Sequence, residues 1–284
     1  MEYVTLNNGI RMPMVGFGVF EIPAEKTAQC VFEAIECGYR LIDTAQAYYN
    51  EKEVGDGIQR AIRELNICRE DIFLTTKVWV TEFGYAKTKA SIEESLRKLQ
   101  TGYLDLVLIH QCLSDYYGAY HALEDLYDEG KIKAIGISNF SAERMADIAT
   151  FNRIVPAVNQ VETHMSWQQY DLHKWMEKYH VQHEAWGPLA QHRLKEILEN
   201  PIVKQIANAH GKTPVQIALR QHVQRGIVVI PKSIHKERMK QNLDIFDFEL
   251  TADEMKQLKE LDENKSMWAE YDDPMIVQYA MAEE

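Results

Sequence analysis

The chain has 284 residues, 46% hydrophobic and 26% charged, with a formal net charge of -12. That acidity argues against a nucleic-acid or anionic-membrane partner, since both need a basic footprint. No apolar run approaches the length that crosses a bilayer, and MEYVTLNNGIRMPMVG lacks the basic-then-apolar pattern of a signal peptide. Cys30, Cys37, Cys68 and Cys112 show neither C-x-x-C spacing nor a zinc-like pairing with histidine. Scattered thiols of this kind fit a reduced, cytoplasmic protein with no metal.

The opening YVTLNNGIRMP is two extended runs around Asn7-Asn8-Gly9, a hairpin signal, and is expected to plug one end of the fold. Eight short apolar runs follow, at Met14–Phe17, Tyr39–Asp43, Ile72–Thr76, Leu104–His110, Ile132–Ser138, Ala157–Glu162, Val181–Trp186 and Ile227–Pro231. They are mostly continuous rather than alternating, as parallel strands buried on both faces are. Amphipathic stretches lie between them. The pattern predicts helices over about Glu25 to Cys37 with Gly38 as cap, Ser91 to Leu99, and Ala119 to Glu129 before Gly130. Others open at Ser141 and at Thr213-Pro214. Thr251 to Asp262 reads as one more helix, followed by a tail bearing Trp268, Tyr271 and Tyr279.

Eight strand–helix units without a linker point to α/β architecture, a single (β/α)8 barrel over residues 1–284 with an N-terminal hairpin and a C-terminal extension. The rival is an open doubly wound sheet, which usually carries G-x-G-x-x-G in its first turn. Here the first strand leads into Gly16-Phe17-Gly18 without the third glycine.

Asp43 with Tyr48, then Lys77, then His110 stand at the ends of three successive strands. In a barrel that end is where chemistry is done. A tyrosine hydroxyl titrates near 10, too high for an efficient proton donor at neutral pH. A neighbouring ammonium stabilises the phenolate, a carboxylate keeps that ammonium charged, and an imidazole can bond the same oxygen. Singly, each has a plainer explanation: a helix cap, a solvated lysine, a core histidine, a loop tyrosine. Their coincidence at consecutive strand ends predicts a proton donor aimed at a carbonyl, with a hydride source opposite. H-E-x-x-H, G-x-S-x-G and G-x-x-x-x-G-K-[ST] are all missing.

In the eighth unit, IPKSIHKERMKQN sets Lys232, Lys236 and Arg238 around a helix start, with Ser233 near its N-cap. Cations there are unfavourable unless an anion joins them, which points to a phosphate-bearing cofactor; the plainer alternative is an exposed, mixed-charge helix. Ser138, Asn139 and Gln160 offer groups suited to a carboxamide, and Trp186 a flat face for a planar ring.

These residues resemble the aldo-keto reductases, especially bacterial members close to 2,5-diketo-gluconate reductases and broad aldehyde reductases. LIDTAQAYYNE is similar to the family's D-T-A-x-x-Y-x-N-E segment. EGKIKAIGISNF and IPKSIHKERMKQN resemble two further signatures in the correct order. The resemblance spans essentially the whole chain. It implies a barrel that reduces aldehydes and ketones with NADPH, with Tyr48 as general acid supported by Asp43, Lys77 and His110. It places the nicotinamide carboxamide on Ser138, Asn139 and Gln160, and the ring on Trp186. The 2′-phosphate would fall to Lys232, Ser233 and Arg238, with Asn242 near the adenine. Val19 and Phe20 would line the cofactor and substrate pocket; Trp79, Cys112, Trp268 and Tyr271 would wall the substrate side. Cys112 and Met165 stand where the family pattern has proline, Gln221 where tryptophan is common, and Gln241 where an acid often contacts adenine. Two alternatives remain: a dedicated keto-sugar or methylglyoxal reductase, and a non-catalytic, cofactor-binding regulatory protein. The expected partner is a small carbonyl compound and the expected state a monomer.

Overall fold

The computed structural model describes residues 1–268 and 273–282. Strands β1 (Tyr3–Thr5) and β2 (Arg11–Pro13) form the antiparallel hairpin, turning at Gly9 with φ 86°. Leu6 and Met12 point into the core, while Asn7 and Asn8 donate to the carbonyls of Pro156 and Lys133. The hairpin therefore covers the end at which the strands begin, as expected.

Eight strands follow: β3 (Phe17–Gly18), β4 (Leu41–Asp43), β5 (Phe73–Val78), β6 (Leu106–Ile109), β7 (Ile135–Ser138), β8 (Val158–Glu162), β9 (Gln182–Trp186) and β10 (Val228–Val229). Each pairs in parallel with the next. The sheet curls until Val15 bridges Val229, with Gly16 N donating to Val229 O at 2.8 Å and Val229 N to Met14 O at 3.0 Å. The result is a closed (β/α)8 barrel. All eight predicted runs overlap strands, and two are displaced: β5 runs on past Thr76 through Val78, and in the first run Met14 and Val15 supply the closing contacts while the strand itself is Phe17–Gly18.

The glycines of Gly16-Phe17-Gly18 serve that seam. A Cβ on Gly16 would lie 2.5 Å from Leu41 Cγ, and one on Gly18 would lie 2.9 Å from Ile230 O. Side chains there would hold the first and last strands apart.

Around the barrel run α1 (Ala24–Cys37), α2 (Glu51–Leu65), α3 (Tyr85–Lys98), α4 (Tyr116–Asp128), α5 (Ala142–Phe151), α6 (Tyr170–Tyr179), α7 (Leu194–Glu199), α8 (Pro201–His210), α9 (Pro214–Gln224), α10 (Lys236–Leu243), α11 (Ala252–Lys259) and α12 (Met275–Ala282). Gly38 caps α1 in the left-handed region, and Thr213 with Gln216 forms a capping box on α9. Gln221, in place of an expected tryptophan, donates to Gln168 Oε1 within a buried polar pair. Among the described residues no helix is long and apolar enough to cross a membrane.

Between β9, α6 and α9 lies a buried histidine group. His183 Nε2 meets Thr163 Oγ1 at 2.7 Å and His173 meets His183 at 3.1 Å, while His222 is fully buried. Burial, then Arg225, pulls His222 down to about 3, and burial holds His183 well below the usual histidine range. Both are thus neutral in the fold, whereas in the unfolded chain they take up a proton below roughly pH 6.5. Through these histidines the unfolded state binds more protons as pH falls from there towards about 3, so their contribution to stability drops across that interval. On going from about pH 7 to about pH 5, the urea-unfolding midpoint of the wild type is expected to fall relative to that of His222→Gln, which lacks one of these titrating groups.

Candidate active site

At the end where the strands finish, a cavity of about 700 Å³ opens. Its wall includes Asp43, Tyr48, Trp79, His110, Ser138, Asn139, Gln160, Trp186 and Lys232. Asp43 is the last residue of β4 and His110 follows the last residue of β6. Lys77 lies inside β5 rather than beyond it and is fully buried, so it is a core lysine and not a rim one. Tyr48 ends a single 3-10 turn, Gln46–Tyr48, in the loop after β4. That loop is braced from within its own motif. Thr44 Oγ1 donates to Asn50 Oδ1 at 3.1 Å, and Asn50 Nδ2 to Val19 O at 3.1 Å. Gln46 Oε1 accepts from Trp79 N at 3.0 Å.

The four residues meet. Lys77 Nζ is 2.5 Å from Asp43 Oδ1 and donates to Thr44 O at 3.0 Å and to Tyr48 Oη at 3.1 Å. Burial pushes the Lys77 ammonium down, but Asp43 and Tyr48 outweigh it and hold it above the usual lysine range. The His110 ring stands edge-on to Tyr48, centroids 5.8 Å apart, and to Trp79 at 4.9 Å. Burial, then Lys77, keeps His110 well below the usual histidine range, so it is neutral at pH 7 and one ring nitrogen is a donor. A tyrosine hydroxyl that receives an N–H from a permanent ammonium, beside a neutral imidazole, can give its proton to an oxygen acquiring negative charge.

The groups expected to meet a cofactor divide by surroundings. Gln160 Nε2 donates to Asp43 Oδ2 and to Glu184 Oε2, both at 2.9 Å, which leaves its Oε1 as the free acceptor. Ser138 Oγ donates to Gln160 O. Asn139 has φ 63°; its Nδ2 donates to His110 O, and its Oδ1 accepts from Trp186 Nε1 at 2.8 Å. These two bonds fix the Trp186 indole beside Asn139. Lys232 and Arg238 are exposed, and neither has a hydrogen bond or ion pair among the described residues. Lys236, by contrast, pairs with Glu36, which takes it out of the cation group. Ser233 is buried and its Oγ accepts from His235 N; Asn242 is buried against the Tyr39 hydroxyl.

On the substrate side, Phe20 packs on Tyr48 with centroids 4.9 Å apart, and Trp268 joins the wall. Val19 is fully buried behind the wall, its carbonyl occupied by Asn50. Cys112 lines a smaller adjoining cavity of about 30 Å³ with Trp167 and Trp268. Tyr271 lies outside the described residues. Sequence reasoning overlooked the loop after β9, where Gly187, Pro188, Leu189, Gln191 and His192 form one flank. The signal was there in Gly187-Pro188, a turn dipeptide directly after a strand.

The extension that carries Trp268 is held by Glu162 at the end of β8. Its Oε1 accepts from Met267 N at 2.7 Å and from His164 Nε2 at 2.9 Å, and its Oε2 from Ser266 Oγ at 2.6 Å.

A model of the aldo/keto reductase family matches residues 14–263. Glyoxal reductase of Bacillus subtilis is 43% identical over 93% of this chain and 94% of its own length. An aldo-keto reductase from a Medee basin deep-sea metagenome library superposes with a TM-score of 0.91 at 44% identity, covering 95% of this chain and 98% of the other. The aldo-keto reductase of Bombyx mori in complex with NADP gives 0.90 at 30% identity, covering 98% and 96%. With the barrel closed, the strand-end residues assembled and the match running nearly from end to end, the chain belongs to the aldo/keto reductase family.

Proposed function

We propose that the protein reduces aldehydes and ketones to alcohols with NADPH, with Tyr48 as the proton donor. The observation that carries this is the Lys77 ammonium, fully buried, bonded at once to Asp43 and to the Tyr48 hydroxyl on the cavity wall. NADPH supplies the hydride when bound. The residues present fit such a cofactor: Gln160 offers an acceptor and Ser138 and Asn139 flank it, while Lys232 and Arg238 are cations with no ion pair among the described residues. Tyr48 Oη gives its proton to the carbonyl oxygen, Lys77 holds the phenolate that results, and Asp43 keeps Lys77 charged and aimed. His110 orients the carbonyl oxygen from the other side. Phe20, Trp79 and Trp268 exclude water from the reacting group. A cofactor-binding regulator would have no need of a buried ammonium aimed at a tyrosine hydroxyl. An assay with NADPH and an activated aromatic aldehyde tests the reading; no turnover would leave the regulator. A panel including glyoxal, methylglyoxal and keto-sugars then separates broad from dedicated reduction. Four free cysteines are consistent with a reducing compartment, so we place the protein in the cytoplasm, as a monomer that sedimentation would test.

The cation cluster gives an independent prediction. If Lys232 and Arg238 pair with the 2′-phosphate, Arg238→Ala removes a charge-assisted contact worth roughly 1.5–3 kcal/mol. NADPH binding should weaken by about ten- to a hundred-fold and NADH binding hardly at all. Fluorescence titration with both cofactors checks it, and equal weakening would remove Arg238 from the phosphate site.

A further inference from the structure

Glu184 lies on β9, directly across from Gln160 on β8, and is fully buried. It is not on the cavity wall. Gln160 Nε2 gives one N–H to Glu184 Oε2 and the other to Asp43 Oδ2. Asp43 Oδ1 takes the Lys77 ammonium, which in turn donates to Tyr48. An unbroken hydrogen-bonded chain thus runs from Glu184 through Gln160, Asp43 and Lys77 to the Tyr48 hydroxyl. Glu184 Oε1 is buried with no hydrogen-bond partner among the described residues. An ionised carboxylate with a bare buried oxygen is costly, and a proton on that oxygen removes the charge. Nothing in the mechanism above uses this group.

We propose that Glu184 is a fifth ionisable member of the network, a positioning residue that governs the proton donor through Gln160 and Asp43. This rests on Tyr48 being that donor. While Glu184 is neutral, Asp43 and Lys77 balance one another and Lys77 is available to stabilise a phenolate. Once Glu184 ionises, one ammonium faces two buried carboxylates, and a phenolate on Tyr48 would be a third negative charge. Tyr48 then becomes a weaker acid and reduction slows. The position of Gln160 follows from the same arrangement. Both its N–H groups are held by carboxyl groups, so its Oε1 stays turned away from them. The charged groups that face Glu184 are Asp43 on β4 and Lys77 on β5; its neighbour on β10 is Val228. Burial, then Asp43, pushes the Glu184 carboxyl up to about 8, against smaller opposing effects of Gln160 and Lys77.

Glu184→Gln keeps the shape and an oxygen to accept from Gln160, but cannot ionise. For the wild type, kcat/KM with an aldehyde should fall above about pH 8, and the variant should move that limb up by ~1 pH unit or more. A second readout needs neither cofactor nor turnover. The folded group holds its proton up to about 8, whereas its ordinary value is 4.5. Between those values the unfolded chain has released a proton that the folded chain keeps, so the wild type loses stability with rising pH relative to the variant. Melting of the cofactor-free proteins should therefore show a Tm gap that shifts towards E184Q as pH rises through that interval. Glu184→Thr gives the same two readouts should the glutamine variant not fold. A gap that stays constant with pH overturns the proposal. So does an unmoved alkaline limb, because ionisation would then not reach Tyr48. If instead Tyr48→Phe proves active, the assignment of the donor fails, whatever the melting curves show.

Discussion

Replacing Tyr48 with phenylalanine should lower carbonyl reduction by at least ~100-fold, the scale for losing one donor to a developing oxyanion, while the fold and NADPH binding survive. The ring is held by contacts that do not involve its oxygen. Phe20 packs against it at 4.9 Å, the His110 edge meets it at 5.8 Å, and the Lys77 ammonium sits 4.7 Å from its centroid. Phenylalanine keeps all three. Lys77 loses one of three acceptors and retains Asp43 and Thr44, so the buried ammonium stays paired. Steady-state kinetics with an activated aldehyde, beside a cofactor titration, measures the two effects separately. Near-normal turnover would remove Tyr48 from its assigned role.

Lys77→Met should be comparably damaging to turnover and, unlike the first variant, costly to the fold. Seen from the sequence, Lys77 stood on the rim, where its loss would affect activity more than stability. The structure corrects that, because Lys77 is fully buried and Asp43 is 1% exposed. Removing the cation leaves Asp43 as an uncompensated buried charge with Gln160 as its remaining donor. Breaking a buried pair in this way costs roughly 3–5 kcal/mol. A double variant separates the two effects. Adding Asp43→Asn removes the orphan charge, so stability should return by about 2 kcal/mol or more, whereas reduction should stay low because no ammonium supports the phenolate. Activity returning along with stability would mean that Lys77 acts only through packing.

The barrel was legible because its strands are buried on both faces, so Leu106–Ile109 and Ile227–Ile230 are uninterrupted apolar runs. What escaped notice was hidden by glycine and by polarity. Helix α2 went unpredicted because Gly55-Asp56-Gly57 resembles a break. In fact a Cβ on Gly55 would lie 2.7 Å from Lys98 O, and one on Gly57 would lie 2.7 Å from Ala28 O. Those glycines let α2 nest against its neighbours. The start of α3 at Tyr85 was set too late, at Ser91, since its first turn presents few apolar residues. In the site, Asp43, Tyr48, Lys77 and His110 were found because strand ends have positions that can be counted. Glu184 could not be found that way. It lies mid-strand, and its importance comes from meeting Gln160 across the sheet, a relation that no linear spacing displays.

The carboxylate of Glu162 suspends the segment bearing Trp268 from the end of a barrel strand by two of its bonds, to Ser266 and Met267. Proton delivery therefore belongs to the strand ends and the braced loop after β4, and part of the chamber that receives the substrate belongs to an appendage that Glu162 helps to hold. Mutational drift in the appendage can reshape what is admitted without disturbing how it is reduced. An engineer could exploit the same division by exchanging the chain beyond residue 267 between relatives, with Glu162 and the barrel left intact as a common engine.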